Sequence, residues 1–131
     1  MKKIEDLLKA ASPILFLLSR VAFGGLMVYH GYPKLMGMPG FIENVGKMGF
    51  PLPVVMAPMA MASELLGGLL VAIGFKTRLA SIFIFFTMLG AAFIAHANDP
   101  FQKKEFALVY AILALVFMAK GSGKFALDKD G

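Results

Sequence analysis

The 131-residue chain contains no cysteine, and only 16% of its residues are charged. The first absence removes disulfide staples, thiolate metal sites and any CxxC redox relay carried by this polypeptide. The second bears on its solvent. A soluble domain is typically about one-quarter charged, and a small one has a large surface to cover with polar groups. Here 59% of the residues are hydrophobic and the mean hydropathy is +0.77, which argues against a soluble monomer and against disorder. Long soluble segments and nucleotide-binding loops are missing, as are haem and flavin signatures. No HxxxH or ExxH pair prearranges a metal site on one helix, so no metal is expected.

What the chain has in quantity is apolar runs. A transmembrane helix needs about 20 mostly apolar residues, and four blocks approach that length: Pro13–Tyr32, Leu52–Phe75, Leu79–Ala97 and Phe106–Ala119. Ser12 before Pro13 has the order of an N-cap and a first helical position, so the first helix is expected to start there. The block is not a signal peptide, because it exceeds a signal core, holds Arg20 and lacks an A-x-A exit. The second and third blocks, joined by the turn FKTR, should form a tight hairpin. The fourth has 14 residues, roughly 21 Å of helix, the shortest crossing of the set. Residues 33–51 carry three prolines and four glycines, too broken to span yet still apolar, and are expected to form an interfacial segment with room for a short helix. The expected fold is all-α: an integral membrane four-helix bundle with short loops, one domain over residues 1–131.

The net charge of +5 raises the question of nucleic acid, but the cations lie between apolar blocks and form no dense cluster. The expected partner is the lipid bilayer, with no nucleic acid. Four spans place both termini on one side. That side would carry Lys2, Lys3, Lys9, Lys76, Arg78, Lys120, Lys124 and Lys129, against Lys34, Lys47, Lys103 and Lys104 on the other. Eight cations against four put both termini in the cytoplasm.

Ionisable groups inside a membrane face the protein interior and find partners. Arg20 lies 7 residues into the first block, roughly 10 Å, and Glu64 lies 12 residues into the second, roughly 18 Å from the opposite face. In a core about 30 Å thick their levels nearly coincide, which predicts an Arg20–Glu64 ion pair. Such a pair either fixes helix register or handles substrate and protons. Gly24, Met27, Gly31 and Lys34 share the Arg20 stripe, and its glycines let a neighbouring helix approach. At the outer end the topology gathers His30, Lys34, His96, Asn98, Asp99 and Glu105, with Tyr110 close by. Histidines and carboxylates together bind metals, shuttle protons or hydrogen-bond the carbonyls of a quinone, and a histidine at a membrane boundary is often only a hydrogen-bonded structural residue. Spacing alone leaves these open.

Four motifs occur in order: RVAFGGLMVYHGYPKL, SELLGGLLVAIGFKTR, AHANDPFQKKEFALVY and GSGKFALD. Together they resemble the DoxX family of small four-helix prokaryotic membrane proteins, over nearly the whole chain. The carrying residues are Arg20 with His30-Gly31-Tyr32-Pro33-Lys34-Leu35, then Glu64, Gly67, Gly68, Gly74 and Arg78, then the closing G-x-G-x-F-A-L-D. Ala126 stands where Ser is commoner in that motif, and Pro33 fills a variable slot. The resemblance implies the prokaryotic cytoplasmic (inner) membrane and an association with respiratory and sulfur redox chemistry. It also implies that some relatives assemble with soluble detoxifying enzymes, while most have no established activity. The missing cysteines argue against disulfide-exchange proteins with similar bundles.

Three functions follow as expectations. The first is a membrane component of a quinone-linked or redox-stress system, in which a polar pocket of Arg20, His30, Lys34, Glu64, His96, Asn98 and Glu105 positions a quinone or handles protons. In it, His30, His96 and Tyr110 contact the ligand, and electrons come through the quinone or a redox enzyme partner. The second is a non-catalytic assembly module that recruits a redox enzyme. The third is a small transporter or channel for a weak acid or metal, built as a homo-oligomer.

Overall fold

Lys, Glu, Leu and Ala are good helix formers, and they make up most of the stretch before Pro13. In the computed structural model, which describes residues 1–131, the first helix accordingly begins at Lys2 and not at Pro13: α1 runs Lys2–Met36 with Pro13 and Pro33 inside it. Each proline removes one backbone donor, and the helix absorbs both. A short helix α2, Met38–Lys47, follows, filling part of the broken segment. Next come α3, Pro53–Ile73, and α4, Thr77–Gly90, which continues into a π-helical segment, Ala91–Ala95. The last helix, α5, spans Phe101–Lys120. No strand is present.

The α3–α4 hairpin is set by a glycine. Gly74 adopts φ +74°, and the Phe75 amide reaches back to the Leu70 carbonyl at 2.9 Å while the Gly74 amide reaches Val71 at 3.1 Å. This is a left-handed helix stop that an L side chain resists. At the other end of α3, Pro53 occupies the first turn, where its missing amide costs nothing.

α1, α3 and the continuous Thr77–Ala95 stretch are long and apolar enough to cross a membrane. α5, which contains the expected fourth span Phe106–Ala119, is not among them, because Lys103, Lys104 and Glu105 fall inside its first turns. It nevertheless packs closely on α4 through a face of small residues, Ala107, Ala111 and Ala114, all buried. Between α1 and α5 an aromatic series connects the two helices: Phe16 to Phe117 at 5.5 Å, Phe117 to Phe23 at 5.1 Å, Phe23 to Tyr110 at 6.0 Å and Tyr110 to His30 at 5.6 Å between ring centroids. The outward faces of the helices carry large apolar side chains, including Leu18, Leu66, Phe86 and Ile112, all exposed. In water such a surface would aggregate, and against acyl chains it is solvated.

The tightest contact in the molecule joins α1 to α3. A Cβ added to Gly68 would stand 2.7 Å from both the Gly24 carbonyl oxygen and Met27 Cβ, and one added to Gly31 would stand 2.6 Å from the Leu65 amide nitrogen. Backbones this close exclude any side chain at these positions and set which residues face one another along the pair. Gly68→Val is therefore expected to push the helices apart and cost about 1–3 kcal/mol or more, read as a lowered melting temperature in detergent. Gly25→Val, where a side chain meets open space, serves as the control and should leave it nearly unchanged.

Candidate functional site

The glycine contacts fix the register of α1 on α3, and that register decides the ion pairs. Gly24 faces Ala72 and Gly31 faces Leu65, so Glu64 lies beside the end of α1, about twelve residues or roughly 18 Å from Arg20. The expected Arg20–Glu64 pair does not form. The Lys34 ammonium donates to Glu64 Oε2 instead, and the Glu64 side chain is only 4% exposed. Counting from Leu52 had placed Glu64 too deep, because the first turns of α3 extend past the end of α1 and pack on α2.

Arg20 belongs to the opposite end of the molecule. Its Nη1 donates to the Ser122 carbonyl at 2.6 Å and its Nη2 to the Ala72 carbonyl at 3.3 Å, while Nε is buried without a partner. Arg78 acts alike on α5, donating from Nη1 to the Met118 and Ala119 carbonyls at 3.2 and 3.0 Å. Both guanidiniums thus sit where helices α3 and α5 end, and the negative pole of each helix supplies the compensating charge. Ser122 Oγ donates to Thr77 Oγ1 at 2.6 Å, and the amides of Leu127 and Asp128 donate to the Ile73 and Gly74 carbonyls, so residues 121–131 are folded back over this end.

A cavity of about 770 Å³ occupies the end where α2 lies. It is walled mostly by Met, Phe, Ala and Ile from α2, α3, α4, the π-helical segment and α5, and the polar groups His30, Lys34, Glu64, His96 and Tyr110 open onto it. Lys34 Nζ stands 5.3 Å from the Phe41 ring centroid of α2, a cation–π contact that ties the short helix to α1. The Tyr110 hydroxyl is 3.5 Å from His30 Nε2. His96, at the end of the π-helical segment, has Nδ1 2.7 Å from Asp99 Oδ2. This hydrogen bond holds the Asp99 carboxyl below its ordinary value of 3.8; burial works against it, and Lys103 and Lys104 add to the lowering. Because the folded value is depressed, the contact is present above the ordinary carboxylate range and is lost as pH falls through the lowered one. With Nδ1 committed to Asp99, His96 has Nε2 free to exchange a proton or a hydrogen bond.

Five of the anticipated residues therefore meet around one space, and three do not join them. Arg20 is at the far end, and Asn98 is exposed in the turn after the π-helical segment, outside the cavity. Glu105 is exposed beside a separate shallow pocket of about 440 Å³ along α5. Sequence reasoning missed the inward-facing Phe41 and the specific His96–Asp99 pairing, although the i, i+3 spacing of that histidine and carboxylate was visible.

Chemically, the arrangement suits a mostly apolar molecule that carries a few polar atoms. The Lys34 ammonium and the Tyr110 hydroxyl supply donors, Glu64 an acceptor, and the histidines either role. The pairings also separate the two buried charges by effect. Glu64→Gln is expected to lower stability by about 1–3 kcal/mol by leaving Lys34 without its counter-charge, while residues 121–131 keep their protection. Arg20→Ala should instead release that segment to carboxypeptidase digestion. Limited proteolysis of both variants in detergent checks the distinction, and equal digestion of the two would contradict it.

Comparison with known proteins agrees with the membrane character of the chain. The DoxX family model matches residues 15–97. Inner membrane protein YphA of Escherichia coli (strain K12) is 40% identical over 88 residues, covering 66% of this chain and 62% of that protein, so the matched part is less than two-thirds of YphA. A Bacillus subtilis (strain 168) protein named "Putative oxidoreductase CatD" is 35% identical over 113 residues, or 86% of this chain and 83% of its own length. Inner membrane protein YqjF of Escherichia coli (strain K12) is 32% identical over 98 residues, covering 75% and 68%. No solved structure matches the chain.

Proposed function

The chain belongs to the DoxX family of membrane proteins, and on that premise we propose that it is the membrane component of a quinone-linked redox system, with the cavity beside α2 as its quinone site. The observation that carries this reading is the meeting of a buried, paired carboxylate with two histidines and a tyrosine on the wall of an otherwise apolar space of about 770 Å³. A quinone bound there supplies a two-electron, two-proton couple. The oxidoreductase name carried by the relative CatD supports a redox setting.

The residues divide the work by position. Lys34 and Tyr110 would donate to ring carbonyls, while Glu64 pairs with Lys34 and orients it. His96, its other nitrogen held by Asp99, delivers or accepts a proton at Nε2 on the cavity wall. The walls exclude bulk water, which strengthens each polar contact. Electrons come from a redox enzyme partner. In the same reading α5 is a fourth crossing, its short apolar stretch helped by the charges at its ends, and both termini are cytoplasmic, on the side richer in Lys and Arg.

Protein purified in native lipid is expected to carry close to one extractable quinone per chain, measured by mass spectrometry of the organic extract. His96→Ala should leave the melting temperature unchanged and lower that occupancy severalfold, and a preparation free of quinone would overturn the site. Orientation is checked by Lys124→Cys, since the chain has no native thiol: a membrane-impermeant maleimide should label it only in inside-out vesicles.

A further inference from the structure

The most exposed large apolar side chains on the cavity wall mark where it meets the lipid-facing surface. Met59, Phe83, Phe86 and Phe93 all line it, yet each is 54–64% exposed. They stand on α3, α4 and the π-helical segment, so the opening runs along the seam between α3 and α4. The seam is closed on either side of the opening. Toward the Gly74 turn, Gly67 lies against Ile84, whose Cγ1 would be 3.2 Å from an added Cβ, and toward α2, Phe50 covers Gly90, with Cε1 3.4 Å from an added Cβ. Between these points one side-chain hydrogen bond joins the two helices, Thr87 Oγ1 to Ser63 Oγ at 2.8 Å.

The chemistry along this path is one-sided. The rim of the opening is methionine and phenylalanine, soft and flat surfaces that favour apolar chains, and no charged residue borders it. His30, Lys34 and Tyr110 reach the cavity from α1 and α5, across from the seam. The volume of about 770 Å³ is in the upper part of the about 300–1,000 Å³ typical of sites for whole drug-sized ligands, more than one ring needs. The geometry points to a quinone with a long polyprenyl chain, its ring held among the polar groups and its chain leaving through the α3–α4 seam into the bilayer, with the Ser63–Thr87 pair at the threshold. This inference rests on the quinone reading above and adds the ligand's class and its route. The occupant is loaded sideways from the membrane, and burial of its chain methylenes against Met59, Phe83 and Phe86 contributes affinity that a chainless ring lacks.

A reversible staple across the seam tests it. Ser63→Cys with Thr87→Cys places two thiols where the hydroxyl oxygens already lie 2.8 Å apart, and the chain has no other cysteine. The double variant, in lipid nanodiscs, is equilibrated in its reduced and oxidised forms with a polyprenyl quinone of fully substituted ring, to which thiols do not add, and with its chainless parent. Bound quinone is measured by extraction and mass spectrometry. The expected result is that oxidation lowers occupancy by the polyprenyl quinone about tenfold or more, that reduction restores it, and that the chainless ring is held equally in both forms. Loss of both ligands on oxidation, or of neither, overturns the route. If the reduced protein binds neither ligand, the quinone site itself falls, which separates the two failures. Ala60→Trp, which fills the seam without a crosslink, is expected to give the same discrimination and guards against a double variant that fails to fold.

Discussion

Where α1 crosses α3, Gly24, Gly31 and Gly68 leave no space for a side chain, and the two backbones lie against each other. Lipid offers helices little hydrophobic reason to associate, so van der Waals contact at such small-residue faces supplies much of the attraction. Its second effect is geometric. A contact between backbones cannot slide by a residue without collision, so the interface has one register, and every polar side chain along the two helices inherits its neighbours from it. Lys34 meets Glu64 and Arg20 meets the end of α3 because the glycines permit no other alignment.

From that register follows a division of the molecule into two ends with different electrostatics. At one, the terminal guanidinium nitrogens of Arg20 and Arg78 donate to backbone carbonyls at or just past helix C-termini, one of them from the folded-back residues 121–131, while Arg20 Nε stays buried without a partner. Arg20 there is packed and only 2% exposed. At the other, an ion pair, two histidines and a tyrosine stand on the wall of open space. A buried pair of charges costs desolvation that its attraction repays only with good geometry, and placing it beside a cavity, with Lys34 partly exposed, reduces that cost while keeping the charges available.

The helices were legible in the sequence because long apolar runs and the FKTR turn are strong local signals. Arg20, Glu64 and the two histidines stood out for the same reason, as rare ionisable groups in apolar blocks. What composition could not supply was depth. Taking Pro13 as the start of α1 and Leu52 as the outer boundary of α3 set two rulers independently, and the error in their relative zero was enough to match Glu64 with the wrong cation. Only the interlocking of Gly24 with Gly68, a contact between two segments distant in the chain, fixes that zero. The same limit explains why Asn98 and Glu105 were grouped with His96: all lie near one end, but which way each faces depends on how the π-helical segment and α5 turn, which no pattern within the segment encodes. The carbonyl partners of Arg20 were invisible for another reason, since backbone oxygen atoms leave no mark on residue identity.

The bond from Arg20 to Ser122 spans 102 positions of the chain. During synthesis the guanidinium reaches the membrane long before the carbonyl that completes its coordination has been translated. For that interval the first helix carries a charge only partly neutralised, by Ala72 once α3 arrives. Final closure of this end therefore awaits the segment that follows α5 and carries the Ser122 carbonyl. Nascent chains halted before Gly121 would hold their first helix in place less firmly than chains that include Ser122, so the order of translation is written into the order of consolidation.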